Sequence, residues 1–201
     1  TKEIEDEVDL MSDDAVSDES LERLANDTWG DTGAWVTDGG GGTAWDSIVY
    51  DTVNDQVLIG AGNGSPWNPD IRDPDSDGDN LFLSSILAVD ADTGAYRWHY
   101  QTTPRDRWDY TATQQITLAD LPLGEDGANR RVVMQPPKNG FFYVLDAADG
   151  ELMSATPFAA QNWTTGEFDE NGRPELVEEA VDLALYAVVP GPTGAHNWHP
   201  M

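Results

Sequence analysis

The stretch Gly60–Asn68, GAGNGSPWN, sets an asparagine between glycines at the end of an apolar run, Val57-Leu58-Ile59. Glycines at a strand end let the backbone approach a ligand closely and take positive φ. An Asn held there presents a neutral carbonyl oxygen, a donor suited to a hard cation such as calcium. The plainer alternative is a Gly/Asn turn closing a hairpin. Trp45 follows four glycines in GGGGTAW (Gly39–Trp45), where the backbone leaves room for an indole to lie flat; its alternative is ordinary packing. Asp109 stands between Trp108 and Tyr110 in RDRWDYTAT, where aromatic neighbours would partly desolvate a carboxylate and raise its pKa. Set against 38 acidic residues, that position alone is a weak signal. Lys138, in PKNG, is conspicuous because the chain has only 10 basic residues.

The elements that must position these side chains read as strands. From Trp29 onward, short apolar runs alternate with Gly, Asp, Asn and Pro. Strands are expected over Ala44–Tyr50, Val57–Gly60, Leu81–Asp90, Tyr96–Gln101, Ile116–Leu118, Arg131–Gln135, Phe141–Asp146 and Leu152–Pro157. An imperfect repeat links ILAVDADTGAYRW (Ile86–Trp98) to FYVLDAADGELMS (Phe142–Ser154), with Asp90 and Gly94 matching Asp146 and Gly150. Hairpins repeating near 50 residues suggest four-stranded antiparallel propeller blades. The Asp would close each turn, the Gly would take φ > 0, and Trp98 would wedge between neighbouring blades. Residues 1–28 differ: they are acidic and carry one short helical pattern, with Ser17 or Asp18 as cap and Leu21 and Leu24 on one face. The expected organisation is an acidic surface segment, 1–28, followed by several blades of an incomplete all-β domain, 29–201.

Five stretches in order, GGGGTAW, GAGNGSPWN, the WDY of RDRWDYTAT, PKNG and GPTGAHNWHPM (Gly191–Met201), resemble the pyrroloquinoline-quinone (PQQ)-dependent alcohol dehydrogenases. The resemblance covers residues 29–201 well and 1–28 loosely, and it implies part of an eight-bladed β-propeller. Ala88-x-Asp90-x-x-Thr93-Gly94-x-x-x-Trp98 resembles that family's blade-locking tryptophan motif. The resemblance implies PQQ and Ca2+ as cofactors and oxidation of a primary alcohol to an aldehyde. Trp45 would be the stacking floor, Asn63 a calcium ligand, and Asp109 the general base at the metal. Lys138 would act on the quinone oxygens, Asn197 and Trp198 at the cofactor edge, and Thr43 on its carboxylates. Lys rather than Arg at 138 leans away from methanol. Thr111 occupies a position where lanthanide-dependent relatives carry a second Asp, so calcium is the expected ion. His196 and His199 read as spacers rather than metal ligands. The family's calcium-binding Glu and paired cysteines are expected upstream of Thr1. Two alternatives stay open: a quinoprotein acting on a sugar or polyol, and a non-catalytic propeller scaffold.

Charge and composition bound the partners. Acidic residues outnumber basic ones 38 to 10, for a formal charge of −28, which repels nucleic acid and anionic lipid. The acids are spread along the chain, which fits a protein kept soluble at high salt, from a halophile or marine source. With no Cys, disulfides and thiolate metal sites are excluded within this segment. No apolar run is long enough to span a membrane. The resemblance implies a periplasmic or exported enzyme that passes electrons to a c-type cytochrome or a quinone.

Overall fold

The computed structural model describes residues 18–31, 33–124, 127–182 and 187–200. Its framework is two four-stranded antiparallel meanders in simple sequence order. The first holds β1 (Ile48–Asp51), β2 (Gln56–Gly60), β3 (Ser85–Asp90) and β4 (Tyr96–Gln101). The second holds β5 (Thr117–Leu121), β6 (Arg130–Gln135), β7 (Phe141–Asp146) and β8 (Leu152–Pro157). A two-stranded ribbon follows, β9 (Thr164–Phe168) with β10 (Pro174–Leu176). Burial alternates strictly along β2, where Gln56, Leu58 and Gly60 turn inward. That period-2 pattern is what makes the run a half-buried strand.

The matched turns are built alike. Asp90 Oδ1 accepts from the Asp92 and Thr93 amides at 3.1 and 2.9 Å, and the Gly94 amide donates to the Asp90 carbonyl at 2.9 Å. Asp146 Oδ1 accepts from the Ala148 amide at 2.9 Å, and the Gly150 amide donates to the Asp146 carbonyl at 3.0 Å. Both glycines have positive φ, 75° and 79°. Trp98 is buried where β4 faces the second meander, and it lies directly on Gly150. The expected wedge between blades is therefore present. Gln56 Nε2 donates to the Ala147 carbonyl at 2.6 Å, and Arg131 pairs with Asp51 at 3.1 Å, so the two sheets are also joined by polar contacts. An aromatic core of Trp108, Tyr110, Phe141, Tyr143, Trp163 and Phe168 fills the space beneath the loops.

Strand bounds shift by one to three residues at β2, β5 and β6, where β5 covers Thr117–Leu121 instead of Ile116–Leu118; two starts move further and one ribbon is additional. Ala44–Ser47 is exposed loop, and β1 begins only at Ile48. The run Leu81–Ser84 is a turn, with the Leu83 amide on the Asn80 carbonyl at 3.0 Å and positive φ at Asn80 and Ser84. Both segments give up ladder bonds to reach the loop cluster described below. The ribbon β9–β10 was absent from the expected strands. Its members are short and half polar, and it forms because Gly172, at φ 76°, turns the chain and Thr164 Oγ1 donates to the Glu175 carbonyl at 2.6 Å. At the other end, α1 spans Asp18–Asn26, so Asp18 is its first residue rather than its cap, and Ser17 lies outside the described residues. Two short helices, α2 (Ala34–Asp38) and α3 (Pro69–Arg72), sit in the loops. Among the described residues no helix is long and apolar enough to cross a membrane.

Candidate active site

The loops at one end of the two sheets converge through backbone bonds, and the five motifs meet there. Where β2 ends, the Ala61 amide donates to the Ser85 carbonyl at 2.7 Å and the Ala61 carbonyl accepts from the Ala112 amide at 3.0 Å. Ser84 then bridges two motifs: its amide donates to the Gly62 carbonyl at 2.9 Å and its hydroxyl to the Tyr110 carbonyl at 2.8 Å. The residues next to Asn63 and Asp109 are thereby held by a single residue, through its amide on one side and its hydroxyl on the other. The glycine run joins from the other side, with the Gly42 amide on the Asn63 carbonyl at 3.0 Å and the Ser65 amide on the Gly40 carbonyl at 3.1 Å. Gly62 must be glycine: a Cβ there would fall 2.8 Å from the Thr43 carbonyl and 3.5 Å from Trp45 Nε1. This close approach brings Thr43 and Trp45 to the Asn63 loop. Trp45 remains 46% exposed.

Asp109 owes its direction to the core. Trp108 and Tyr110 are buried against Trp163, with ring centroids 5.5 and 5.9 Å away, and the Tyr110 hydroxyl donates to the Pro190 carbonyl at 2.6 Å. With both neighbours facing inward, the residue between them takes φ 64° and faces out. The aromatics therefore anchor Asp109 instead of covering it; its side chain is 37% exposed. What touches the carboxylate is Lys138, whose Nζ donates to Asp109 Oδ2 at 3.2 Å and to the Asp109 carbonyl at 2.8 Å. An ammonium has three N–H donors, so one is left for a ligand. Lys138 is buried under Gly194 and fixed by the Ala195 amide on its own carbonyl at 2.9 Å. Asn139 steadies the same turn, its Nδ2 reaching the Thr102 carbonyl at 3.0 Å and the Tyr143 hydroxyl at 2.9 Å.

The last motif reaches this cluster through Lys138. The ring nitrogens of His196 face the Pro136 and His199 carbonyls at 2.8 and 2.7 Å, which makes it a brace. Trp198 stacks on His199 at 4.1 Å and is 60% exposed, and Asn197 Nδ2 donates to the Thr193 carbonyl at 3.1 Å. Asn63 Nδ2 donates to the Gly64 carbonyl at 2.9 Å, which fixes the side-chain amide within its own loop. Thr111 is buried, its hydroxyl 2.8 Å from Gln114 Nε2 and 3.2 Å from the Thr113 hydroxyl. Among the described residues no three His, Cys, Asp or Glu side chains form a metal cluster, so Asn63 and Asp109 could supply only part of a coordination shell.

Two residues overlooked in the sequence stand out. Asp106 is fully buried, and its Oδ1 accepts from the Trp108 and Tyr110 amides at 3.1 and 3.0 Å. Burial, partly offset by those two bonds, pushes its carboxyl up to about 7. Arg72 is also buried, and burial brings its guanidinium down to about 10, still charged at neutral pH. The signal for both was faint: an acid three residues before Asp109, and one base within the Pro- and Asp-rich NPDIRDP.

Two four-stranded antiparallel units locked by a tryptophan, with a glycine-flanked Asn, a half-exposed indole and a Lys–Asp pair in their loops, define a quinoprotein-type propeller segment. Comparison with known proteins agrees. Residues 19–161 match the PQQ family "Glucose/ethanol/alcohol dehydrogenase, beta-propeller domain", and the chain belongs to this family. It is 50% identical over 185 residues to the quinohemoprotein alcohol dehydrogenase of Comamonas testosteroni, covering 92% of this chain and 25% of that protein. It is 55% identical over 186 residues to quinohemoprotein alcohol dehydrogenase ADH-IIG of Pseudomonas putida, covering 89% and 25%. The solved structure of the Comamonas enzyme superimposes with a TM-score of 0.84 at 49% identity over 92% of this chain and 27% of that one. A europium-containing methanol dehydrogenase gives 0.76 at 32% identity over 86% and 29%. The chain thus spans about a quarter of the length of the curated relatives it matches.

Proposed function

We propose that the protein to which this chain belongs oxidises a primary alcohol to an aldehyde, using PQQ and calcium. When bound, the calcium-polarised quinone supplies the electrophile that accepts the carbinol hydride. The chain's own residues fit the remaining tasks. Asp109 has Oδ2 held by Lys138, and Oδ1 is left to take the alcohol's hydroxyl proton. Lys138 keeps this carboxylate in place, and its remaining N–H would be available to the quinone oxygens, where negative charge would develop. The Asn63 amide oxygen and the Asp109 carboxylate are the oxygen donors for the cation. Trp45, half-exposed, would be the aromatic floor on which a quinone stacks, and the hydroxyl of Thr43, two residues earlier in the same loop, would serve a cofactor carboxylate. Asn197 and Trp198, tied to Lys138 through the 194–199 turn, would flank the cofactor's edge.

The observation that carries this reading is the Lys138–Asp109 pair, joined through Tyr110, Ser84 and Gly62 to Asn63. A scaffold propeller has no need for a buried lysine paired with an outward aspartate at left-handed φ. Two quinohemoprotein alcohol dehydrogenases resemble the chain at 50 and 55% identity, and the europium methanol dehydrogenase at 32%. That gradient, with Lys at 138, supports a substrate larger than methanol. Thr111, already committed to Gln114 and Thr113, supports calcium over a trivalent ion. The names of relatives, among them an alcohol dehydrogenase (quinone) and a lupanine 17-hydroxylase (cytochrome c), support a quinone or c-type cytochrome as acceptor; the periplasmic or exported location implied by the resemblance goes with that reading.

The test is reconstitution of the longest native form of the chain with calcium and PQQ, following dye reduction with alcohols from methanol to butanol and with sugars and polyols. Quinone-dependent turnover is expected, strongest beyond methanol. Asp109→Asn should lower kcat by on the order of 10²-fold or more while quinone remains bound, as expected for loss of a general base. Tight folding with no quinone uptake would support the scaffold reading instead.

A further inference from the structure

One guanidinium sits under the whole loop cluster. Arg72 is the last residue of α3, a helix begun by Pro69 and capped by Asn68, whose side chain accepts from the Asp70 amide. Its five N–H groups are all engaged. Nη1 donates to the Pro66 and Trp67 carbonyls at 2.8 and 2.9 Å. Nε and Nη2 donate to Asn80 Oδ1 at 3.2 and 3.0 Å, and Nη2 also reaches the Asp106 carbonyl at 2.8 Å. Asn80 in turn donates to Asp73 Oδ2 at 2.6 Å, which places a carboxylate beside the buried cation. Gly64, next to Asn63, leaves room for this group: a Cβ at 64 would lie 2.1 Å from Arg72 Nη1.

Those carbonyls belong to the two halves of the site. Pro66 and Trp67 follow Asn63 in the same loop. Asp106 opens the tight turn whose next residues carry Asp109, and its own carboxylate holds the Trp108 and Tyr110 amides. We propose that Arg72 is a positioning residue that fixes the Asn63 loop against the Asp109 turn, and so sets the separation of the cation donor and the base. A planar guanidinium spreads five donors in a rigid fork over three chain segments; an ammonium has three donors at one point and cannot make all five bonds. The inference rests on the roles proposed for Asn63 and Asp109.

The experiment compares Arg72→Lys and Arg72→Met with wild type in the longest native form of the protein. It measures calcium affinity by calorimetry, quinone uptake by absorbance, and kcat and KM. Arg72→Lys is expected to stay folded, to bind calcium at least about tenfold more weakly, and to lose kcat by on the order of 10²-fold with KM little changed, because misplacement of a catalytic group by about 1 Å costs that much. Arg72→Met should be worse on each count. Should the Arg72 variants fail to fold, Asn80→Gly provides a second route: it tolerates the φ of 56° at that site and removes the amide oxygen that holds Nε and Nη2. Arg97→Gln, at a surface turn pair with Asp90, serves as the control and should change none of these readouts. Folded Arg72→Lys and Asn80→Gly proteins with wild-type calcium affinity and kcat would overturn the inference. If Asp109→Asn retains activity, the fault lies with the assigned base. If Asp109→Asn is inactive and Arg72→Lys is normal, only the positioning role fails.

Discussion

Asp106 shows how one residue can hold a site without facing it. Its Oδ1 satisfies two amides of the turn that carries Asp109, while Oδ2 is buried without a hydrogen-bond partner. A carboxylate in that setting is penalised when charged, and its pKa of about 7 reflects burial first. The direction fixes the linkage. A raised folded-state pKa contributes stability below the unfolded value, about 4, and that stability is lost as pH rises through about 7. Asp106→Asn keeps an acceptor for the two amides and removes the titration. Its melting temperature relative to wild type should therefore climb between about pH 4 and pH 7 and level off above about pH 8. Thermal melts of both proteins across that range would show it; a difference that stays constant would mean that Asp106 does not titrate there. The charged groups that act on it, Arg72, Arg107 and Asp109, are unchanged in the variant and drop out of the comparison.

At the level of elements, the matched glycines of the two turns separate backbone from packing. Gly94 and Gly150 share positive φ, yet a Cβ at 94 meets nothing within 4 Å, whereas one at 150 would lie 2.5 Å from Trp98 Cε3. Gly94→Ala should cost about 1–2 kcal/mol, the left-handed penalty alone. Gly150→Ala adds overpacking against the indole, for about 2–4 kcal/mol in all. Calorimetric melts would distinguish them, and equal costs would show that the turn's backbone, not the docked Trp98, sets the requirement. The sequence was most legible where short-range rules operate. Phe141–Asp146 and Leu152–Pro157 form strands at the expected bounds, and the Asp and Gly of each repeat do what local turn chemistry asks. The residue types of the site were legible too, because Asn63, Asp109 and Lys138 stand in unusual local settings. Arg72, Asp106 and Ser84 were not. Each acts through bonds to main-chain atoms in distant loops, and a side chain that serves remote carbonyls or amides leaves no periodic mark on its own neighbourhood. The apolar run Leu81–Ser84 misled for the same reason, since Trp29 Nε1 and Thr28 Oγ1 capture the Leu81 backbone at 2.7 and 2.8 Å.

Over the whole molecule the charge is the dominant unbalanced quantity. The chain has 38 acidic residues against 10 basic ones, and the formal charge is −28. Eight ion pairs among the described residues draw on Arg97, Arg105, Arg107, Arg130, Arg131, Lys138 and Arg173, so most of the cations are already committed. Added salt has two opposed effects. It weakens exposed pairs such as Arg97–Asp90 and Arg131–Asp120, each worth no more than about 1 kcal/mol. It also screens repulsion among the many unpaired carboxylates, as the Debye length falls from about 10 Å at 0.1 M to about 3 Å at 1 M. The innermost pairs, Arg105–Asp73 and Arg131–Asp51, are shielded from solvent and lose less. Repulsion summed over a charge of this size outweighs a handful of weak surface pairs, so screening should stabilise. The melting temperature of the longest native form is expected to rise by several degrees between about 0.1 and 1 M NaCl, and KCl should act equally if screening is the cause. A fall over that range would mean that the ion pairs, not the net charge, govern stability, and would remove the physical basis for reading the protein as salt-adapted.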